Sequence, residues 1–168
     1  GSVHGYRILE VDHCVALFLD PGNAVSGLKL FEVMGDIQAL LLFLIKNPER
    51  YPQYAFLDYF LFGIKYYPDD LDIAELLNVS AIQGADASEF ITAVINLHTL
   101  KDSNSVYLIQ NLADRGNVDA ATALYAFDAN LVPDAANVLK TAAIAGSVTA
   151  AYFLVRDFGE KNPEIIQL

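Results

Sequence analysis

The sequence predicts an all-α fold in which antiparallel helix–turn–helix repeats stack into a short α-solenoid. Two observations lead to this prediction. The stretch 134–159 reads as one complete pair of helices with Gly146 at its turn, and the upstream sequence contains similar pairs at a nearly constant spacing. A fixed period of roughly 20 to 50 residues is typical of stacked repeats, because each repeat buries its apolar face against the next.

In the stretch 134–159, apolar residues recur at helical spacing on both sides of Gly146. They are Ala135, Ala136, Leu139, Ala142 and Ala143 before it, and Ala150, Ala151, Leu154 and Val155 after it. Alanine favours helix and lets a neighbouring helix approach closely. Gly146 stands where a helix commonly ends on a left-handed residue, and Ser147 is predicted to cap the next helix. The short connection predicts antiparallel packing.

Three glycines, Gly84, Gly116 and Gly146, mark three copies of this pair, and we call them the hinge glycines. Successive hinge glycines are 32 and 30 residues apart, and apolar residues recur at equivalent positions before them. These are Ala81, Ala113 and Ala143 at minus three, Leu77, Ile109 and Leu139 at minus seven, and Ala74, Val106 and Ala136 at minus ten. A weaker fourth copy is predicted around Gly35.

The pattern A-x-x-L-x-x-x-A-x-x-G-x-x-x-A-A, seen in 136–151 and more loosely in 106–121, resembles the Sel1-like repeat, a relative of the tetratricopeptide repeat. The resemblance covers 71–159 and implies a right-handed solenoid whose concave face binds peptides or proteins. The family usually has Leu-Gly eight and nine residues after the hinge glycine. This chain departs from it with Thr92-Ala93, Leu124-Tyr125 and Leu154-Val155.

The length of 168 residues suits one domain, 1–168. Within it, 1–70 are divergent N-terminal helices, 71–159 are the regular repeats, and 160–168 are a capping helix or a frayed tail. Apolar residues make up 54% of the chain, above the usual share of about 45 to 50%. The surplus suits stacked helices, and it also allows one surface to be covered by a partner or by a second copy in a homodimer.

The net charge of −11 argues against a nucleic-acid or anionic-membrane surface, because such surfaces need clustered Lys and Arg. Attraction of a basic partner and acidity kept for solubility both remain open. A single cysteine, Cys14, excludes an internal disulfide, unlike the cysteine-rich Sel1-like proteins. The opening Gly1-Ser2 is typical of an expression-tag remnant, so the compartment stays open between the cytoplasm and a periplasmic or secreted location.

Helical periodicity and turn signals place the individual helices. The predicted ranges are 25–34, 37–46, 53–67, 71–83, 87–97, 103–113, 118–129, 134–145 and 148–158. Asp70 and Asp134 are predicted N-caps. The apolar run 11–19 could be a helix or a strand, and helix is preferred because helices follow it. The longest apolar run, 39–45, is far shorter than the roughly 20 residues that span a bilayer, so no membrane span is predicted.

The segment 53–67 is dense in aromatic residues that point in nearly every direction around a helix. It must therefore be buried on more than one side or present rings to a partner. Burial in the core is favoured for the phenylalanines. Tyr66 and Tyr67, beside the break at Pro68, are equally consistent with a partner surface, since tyrosine is favoured at interfaces.

No constellation in the sequence predicts catalysis, a metal or a cofactor. Glu10-x-x-His13 has metal-pair spacing on a helix, but di-metal bundles need a second such motif and two further carboxylates. His13 and Cys14 are neighbours, and adjacent residues on a helix point about 100° apart. Phosphate loops, zinc spacings and nucleophile elbows are absent from the sequence.

Function is therefore expected to come from shape. Asn78, Gln110 and Lys140, each six residues before a hinge glycine, are polar and are candidates to line a binding groove; a solvated face is the alternative. The first hypothesis is a non-enzymatic module that binds a protein or peptide on its concave face. The alternatives are an acidic inhibitor or immunity-type protein that blocks a basic enzyme or toxin, and an enzyme that uses Glu10, His13 and Cys14 with Asp69 and Asp70.

Overall fold

From Asp36 to Phe158 the chain is built of helices joined by short turns. The computed structural model describes residues 6–11, 14–19, 36–163 and 165. The α-helices in this part of the chain are α1 Ile37–Lys46, α2 Gln53–Tyr66, α3 Ile73–Ala81, α4 Ala85–Thr99, α5 Ser103–Asp114, α6 Val118–Phe127, α7 Ala135–Ala145 and α8 Val148–Phe158. Short 3-10 helices lie at Pro68–Asp70 and Ala129–Leu131. The predicted helical class is confirmed for this region.

The N-terminal segment differs from the prediction. Strands β1 (Tyr6–Val11) and β2 (Cys14–Leu19) form an antiparallel ladder in which Val11 faces Cys14 and Tyr6 faces Leu19. The preference for a helix at 11–19 was wrong, because a short apolar run does not separate strand from helix and its pairing partner lies outside that run. β2 lies against α2, and both strands lie against α8.

Three consecutive antiparallel pairs, α3/α4, α5/α6 and α7/α8, follow the predicted period. We call α3, α5 and α7 the first helices and α4, α6 and α8 the second helices. Each pair turns at its hinge glycine, and Gly84, Gly116 and Gly146 have φ of 103°, 95° and 132°. A left-handed backbone favours glycine, so the three hinges are confirmed. The predicted helix 25–34 and the copy around Gly35 lie outside the described residues.

The first pair departs from the repeat register. Its buried positions on α3 are Leu76 and Ser80, not Leu77 and Ala81 as the alignment on Gly84 predicts. The reason is the hinge: α3 ends three residues before its glycine, whereas α7 ends one residue before Gly146. Two more residues in the turn change which face of the helix meets the core.

The helix caps follow local chemistry. Ser147 accepts a hydrogen bond from the Ala150 backbone, as predicted. Asp70 is not a cap, because it belongs to the 3-10 helix, and Asp72 caps α3 in its place. Asp134 stands at the start of α7 with φ of 55°, but its carboxylate accepts from the Asn137 side chain and not from a backbone N–H.

Neighbouring second helices contact one another. α4 contacts α6. Between α6 and α8, the rings of Tyr125 and Phe153 lie 5.0 Å apart, and the Tyr125 hydroxyl donates a hydrogen bond of 2.5 Å to Asp157. Tyr125, nine residues after Gly116, therefore joins α6 to α8.

Candidate partner-binding surface

Helix α2 lies across the N-terminal ends of the second helices. Its Gln53 accepts a hydrogen bond of 3.0 Å from Asn117, the residue that caps α6. The next residue, Tyr54, lies against Gly146, where an added methyl group would overlap the hydroxyl and ring of Tyr54. α2 also contacts α4. One helix that belongs to no repeat therefore touches all three pairs.

Asp58 fixes this helix to the last pair. Its carboxylate accepts hydrogen bonds from the backbone N–H groups of Val148 (3.1 Å) and Thr149 (3.2 Å) and from the Ser147 hydroxyl (3.4 Å). These donors form the first turn of α8, where the helix dipole attracts a carboxylate. Burial raises the pKa of Asp58 to about 7, although hydrogen bonds from Thr149 and Val148 act in the opposite direction.

Other titratable groups are buried beside α2 and between the pairs. Burial raises the pKa of Asp119 to about 6 and lowers the pKa of His98 to about 4. Burial also raises the pKa of Tyr59 above its ordinary value. The described residues offer no hydrogen-bond partner to Asp119 Oδ1, His98 Nε2 or the Tyr59 hydroxyl. None of these groups lines a groove of about 560 Å³ or a cavity of about 170 Å³ in this part of the chain, both described below, and we assign them to the core.

The aromatic segment 53–67 is mainly core. Phe56 and Phe60 are buried and stack with their ring centroids 5.4 Å apart, which confirms the favoured interpretation for these phenylalanines. Tyr66 is half-buried and Tyr67 is just exposed, and both rings contact Phe62. The two tyrosines therefore lie at the edge of the core and stay candidates for partner contact.

The first helices leave apolar side chains on the surface. Tyr107 of α5 is 65% exposed and its neighbour Leu108 is 41% exposed. Ile144 of α7 is 67% exposed, and Ile82, just after α3, is 79% exposed. In contrast, residues 120–125 of the second helix α6 are all buried. The second helix α8 also exposes apolar side chains, Val155 at 39% and Phe158 at 47%, but less than Tyr107 and Ile144.

A groove of about 560 Å³ opens between the first and second pairs. Its lining is mostly small or apolar, and it consists of Ala81, Gly84, Ala85, Ser88, Glu89, Thr92, Ala93, Leu108, Asn111 and Leu112. At its rim Glu89 pairs with Arg115. A smaller cavity of about 170 Å³ lies between the turn after α1 and α4, lined partly by Tyr51, Phe56 and Ile91.

The three residues that the sequence proposed for a groove lie in different surroundings in the structure. Asn78 is exposed, Gln110 is half-buried, and Lys140 is half-buried with its amine 3.9 Å from Glu160. The rotated register of α3 explains the difference for Asn78. None of the three lines the 560 Å³ groove. They remain candidates for partner contact only because they lie on the first helices.

The residues proposed for an enzyme do not share a helix. Glu10 lies in β1 and Cys14 in β2, so a Glu-x-x-His pair on one helix face is wrong. His13 lies outside the described residues. Asp69 and Asp70 are exposed in the 3-10 helix after α2. In the part of the chain with described side chains, no three His, Cys, Asp or Glu residues are placed to hold a metal ion.

Two features of the site were missed from sequence. Asp58 carried a signal, because a lone carboxylate inside the apolar run 55–62 needs buried donors. The sequence also gave a signal for the exposure of Tyr107 and Leu108. Both residues fall outside the apolar positions that the three copies share. The open groove was signalled only by the small pair Thr92-Ala93, where the other copies have larger residues.

Comparison with family models, with curated proteins and with solved structures gave no match in any of the three. Within the described ranges, none of the helices combines the length and the apolar character that crossing a bilayer requires.

Proposed function

We propose that the chain is a non-enzymatic interaction module, a Sel1-like, tetratricopeptide-type repeat array that binds a protein or peptide partner. The array would form a right-handed solenoid with the first helices on its concave face. Three antiparallel pairs with hinge glycines 32 and 30 residues apart support this proposal. Burial of the shifted titratable groups away from the cavities supports a role without catalysis.

The observation that carries the proposal is the exposure of large apolar side chains on the first helices α5 and α7; on the second helix α8, Val155 and Phe158 are less exposed, at 39% and 47%. α2 covers the second helices, whereas the first helices leave Tyr107 and Ile144 about two-thirds exposed. Burying such side chains against a partner is favourable by about 25 cal/mol per Å² of apolar area. Tyrosine is also enriched at protein interfaces. The first helices are therefore the surface on which binding is expected.

Affinity capture from the source cells, with three forms of the protein, tests this proposal. The test variant combines Tyr107→Ser and Ile144→Ser. The matched control is Leu100→Ser, which removes a similarly exposed apolar side chain at the end of a second helix. Thermal unfolding of all three establishes that the folded state is retained. We expect a partner that is held by the wild type and the control and lost from the double variant.

Equal capture by all three forms would place the binding surface elsewhere and contradict the proposal. So would capture of nothing above background by the wild type at low salt.

The second candidate is an acidic inhibitor of a basic enzyme or toxin. It is favoured by the net charge of −11 and by the stretch 66–100, which has six acidic residues and no Lys or Arg. Exposed charges are screened within about 3 Å at 1 M salt, compared with about 10 Å at 0.1 M. Loss of the captured partner at moderate salt, together with inhibition of its activity, would favour this candidate. Retention at high salt would favour the apolar surface.

A further inference from the structure

A groove is open between the first and second pairs of helices, whereas the corresponding positions on α6 are filled. In α6, the positions four, five, eight and nine after the hinge glycine are all buried: Ala120, Ala121, Leu124 and Tyr125. In α4, only the last of the equivalent positions is buried, and the four are Ser88, Glu89, Thr92 and Ala93. All four of these α4 residues line the 560 Å³ groove.

The size of the side chains explains this difference. Tyr125 reaches α8, packs on Phe153 and hydrogen-bonds to Asp157, so the space beside the later pair is filled from within the chain. Ala93 at the equivalent position is too short to fill the space that Leu108 and Leu112 face. The groove is thus produced by a change in sequence at a position where the other repeats carry a larger side chain.

We infer that this groove docks a segment of the partner protein in which apolar side chains are flanked by Lys or Arg. This inference rests on the proposed function. The volume of the groove lies within the roughly 300 to 1,000 Å³ of ligand-binding clefts, and the walls of the groove are largely apolar. A partner segment would place apolar side chains between α4 and α5, against Leu108 and Leu112.

Charge identifies the occupant as basic. The charged residue in the lining is the carboxylate Glu89, exposed Asp86 follows the lining residue Ala85, and the chain as a whole carries a net charge of −11. The cation at the rim, Arg115, is already paired with Glu89. A basic segment would meet complementary charge, whereas an acidic segment or a nucleic acid would be repelled.

Short peptides of defined composition test the inference. The probes are a Lys–Leu peptide, a Gln–Leu peptide and a Glu–Leu peptide of equal length, and fluorescence anisotropy measures their affinity. Ala85→Leu fills the groove, and Ala145→Leu makes the same change at an exposed alanine at the end of α7. Leu108→Ser removes an apolar wall without adding volume.

We expect the Lys–Leu peptide to bind the wild type and Ala145→Leu alike, and at least about tenfold more weakly to Ala85→Leu and Leu108→Ser. The Gln–Leu peptide should bind the wild type more weakly than the Lys–Leu peptide does, and the Glu–Leu peptide should bind most weakly. The inference is overturned if the Lys–Leu peptide does not bind at about 1 mM. It is also overturned if that peptide binds both groove variants like the wild type, or if the Gln–Leu peptide binds equally well.

The captured partner separates this inference from the proposed function. If the partner binds Ala85→Leu like the wild type but is lost from the Tyr107→Ser, Ile144→Ser variant, the groove is not the site and the first-helix surface still is. If neither variant affects the partner, both proposals fail.

Discussion

The carboxylate of Asp58 lies 3.1 Å from the backbone nitrogen of Val148, 90 residues further along the chain. A second oxygen of the same side chain lies 3.2 Å from the backbone nitrogen of Thr149. The contact joins α2, which belongs to no repeat, to the first turn of the last repeat helix. Because α2 also contacts α4 and α6, it connects the three pairs across their hinges.

Asp58→Ala is expected to lower the free energy of unfolding by about 1 to 3 kcal/mol, because it leaves buried backbone N–H groups without partners. Asp102→Ala is the matched control, since Asp102 caps α5 at an exposed site where water can replace the carboxylate. Urea denaturation of both variants measures the difference. Equal losses for the two would mean that Asp58 acts only as an ordinary cap.

The stability of the protein should depend on pH through Asp58. Its pKa is raised from an ordinary value of 3.8 to about 7, so the folded state holds a proton that the unfolded chain has released. This contribution is complete below pH 3.8 and is lost as the pH rises through 7. Relative to Asp58→Asn, the wild type should lose up to about 1.4 kcal/mol of stability per pH unit between pH 4 and 7.

Asp119 and His98 also make stability depend on pH, so the contribution of Asp58 must be measured against Asp58→Asn. Asp119, with its pKa raised to about 6, acts in the same direction. His98 acts in the opposite direction, since its pKa is lowered to about 4 and its protonation below pH 6.5 favours the unfolded chain. Denaturation curves from pH 4 to 8 give the difference between wild type and variant. A wild type that gains stability over Asp58→Asn as the pH rises would show that the hydrogen bonds outweigh burial.

Gly146→Ala should destabilise the protein more than Gly116→Ala. Both glycines have positive φ, which alone costs alanine roughly 1 to 2 kcal/mol. At Gly116 the new methyl group meets open space, whereas at Gly146 it overlaps Tyr54 and forces α2 to shift. The midpoint of thermal unfolding compares the two variants. Equal midpoints would show that Tyr54 moves aside without cost.

Tyr125→Phe keeps the ring contact with Phe153 and removes the hydrogen bond to Asp157. The expected loss is about 0.5 to 1.5 kcal/mol of unfolding free energy. Burial, together with the hydrogen bond to Asp157, raises the pKa of the Tyr125 hydroxyl to about 12, so the phenol stays protonated and donates at neutral pH. Asp157→Ala removes the acceptor of this bond in the same denaturation experiment. No change in stability for either variant would mean that water replaces this bond.

The repeat region could be predicted from sequence because its signals are local. Each hinge glycine, each cap and each apolar stripe lies within one pair of helices, and α1 and α8 have the predicted bounds. The register of α3 could not be predicted, because the length of the turn before Gly84 decides which residues are buried. The hairpin was missed for a related reason, since a strand is stabilised by a partner elsewhere in the chain.

The site was harder to predict because it depends on contacts between distant residues. The density of aromatic side chains in 53–67 indicated burial on several sides, but only the structure shows that α1, β2 and the second helices provide it. Because α2 covers the N-terminal ends of the second helices, our proposal places partner binding on the first helices. The pair Thr92-Ala93 was visible as a departure from the family pattern, yet the groove appears only when α5 is placed opposite it.

Hydrogen exchange of the protein alone and in complex with its captured partner tests the binding surface most directly. Binding to the first helices predicts slower exchange in Ser103–Asp114 and Ala135–Ala145, with Gln53–Tyr66 unchanged because the chain itself already buries it. Slower exchange confined to Gln53–Tyr66 or to Val118–Phe127, with the first helices unaffected, would contradict the account.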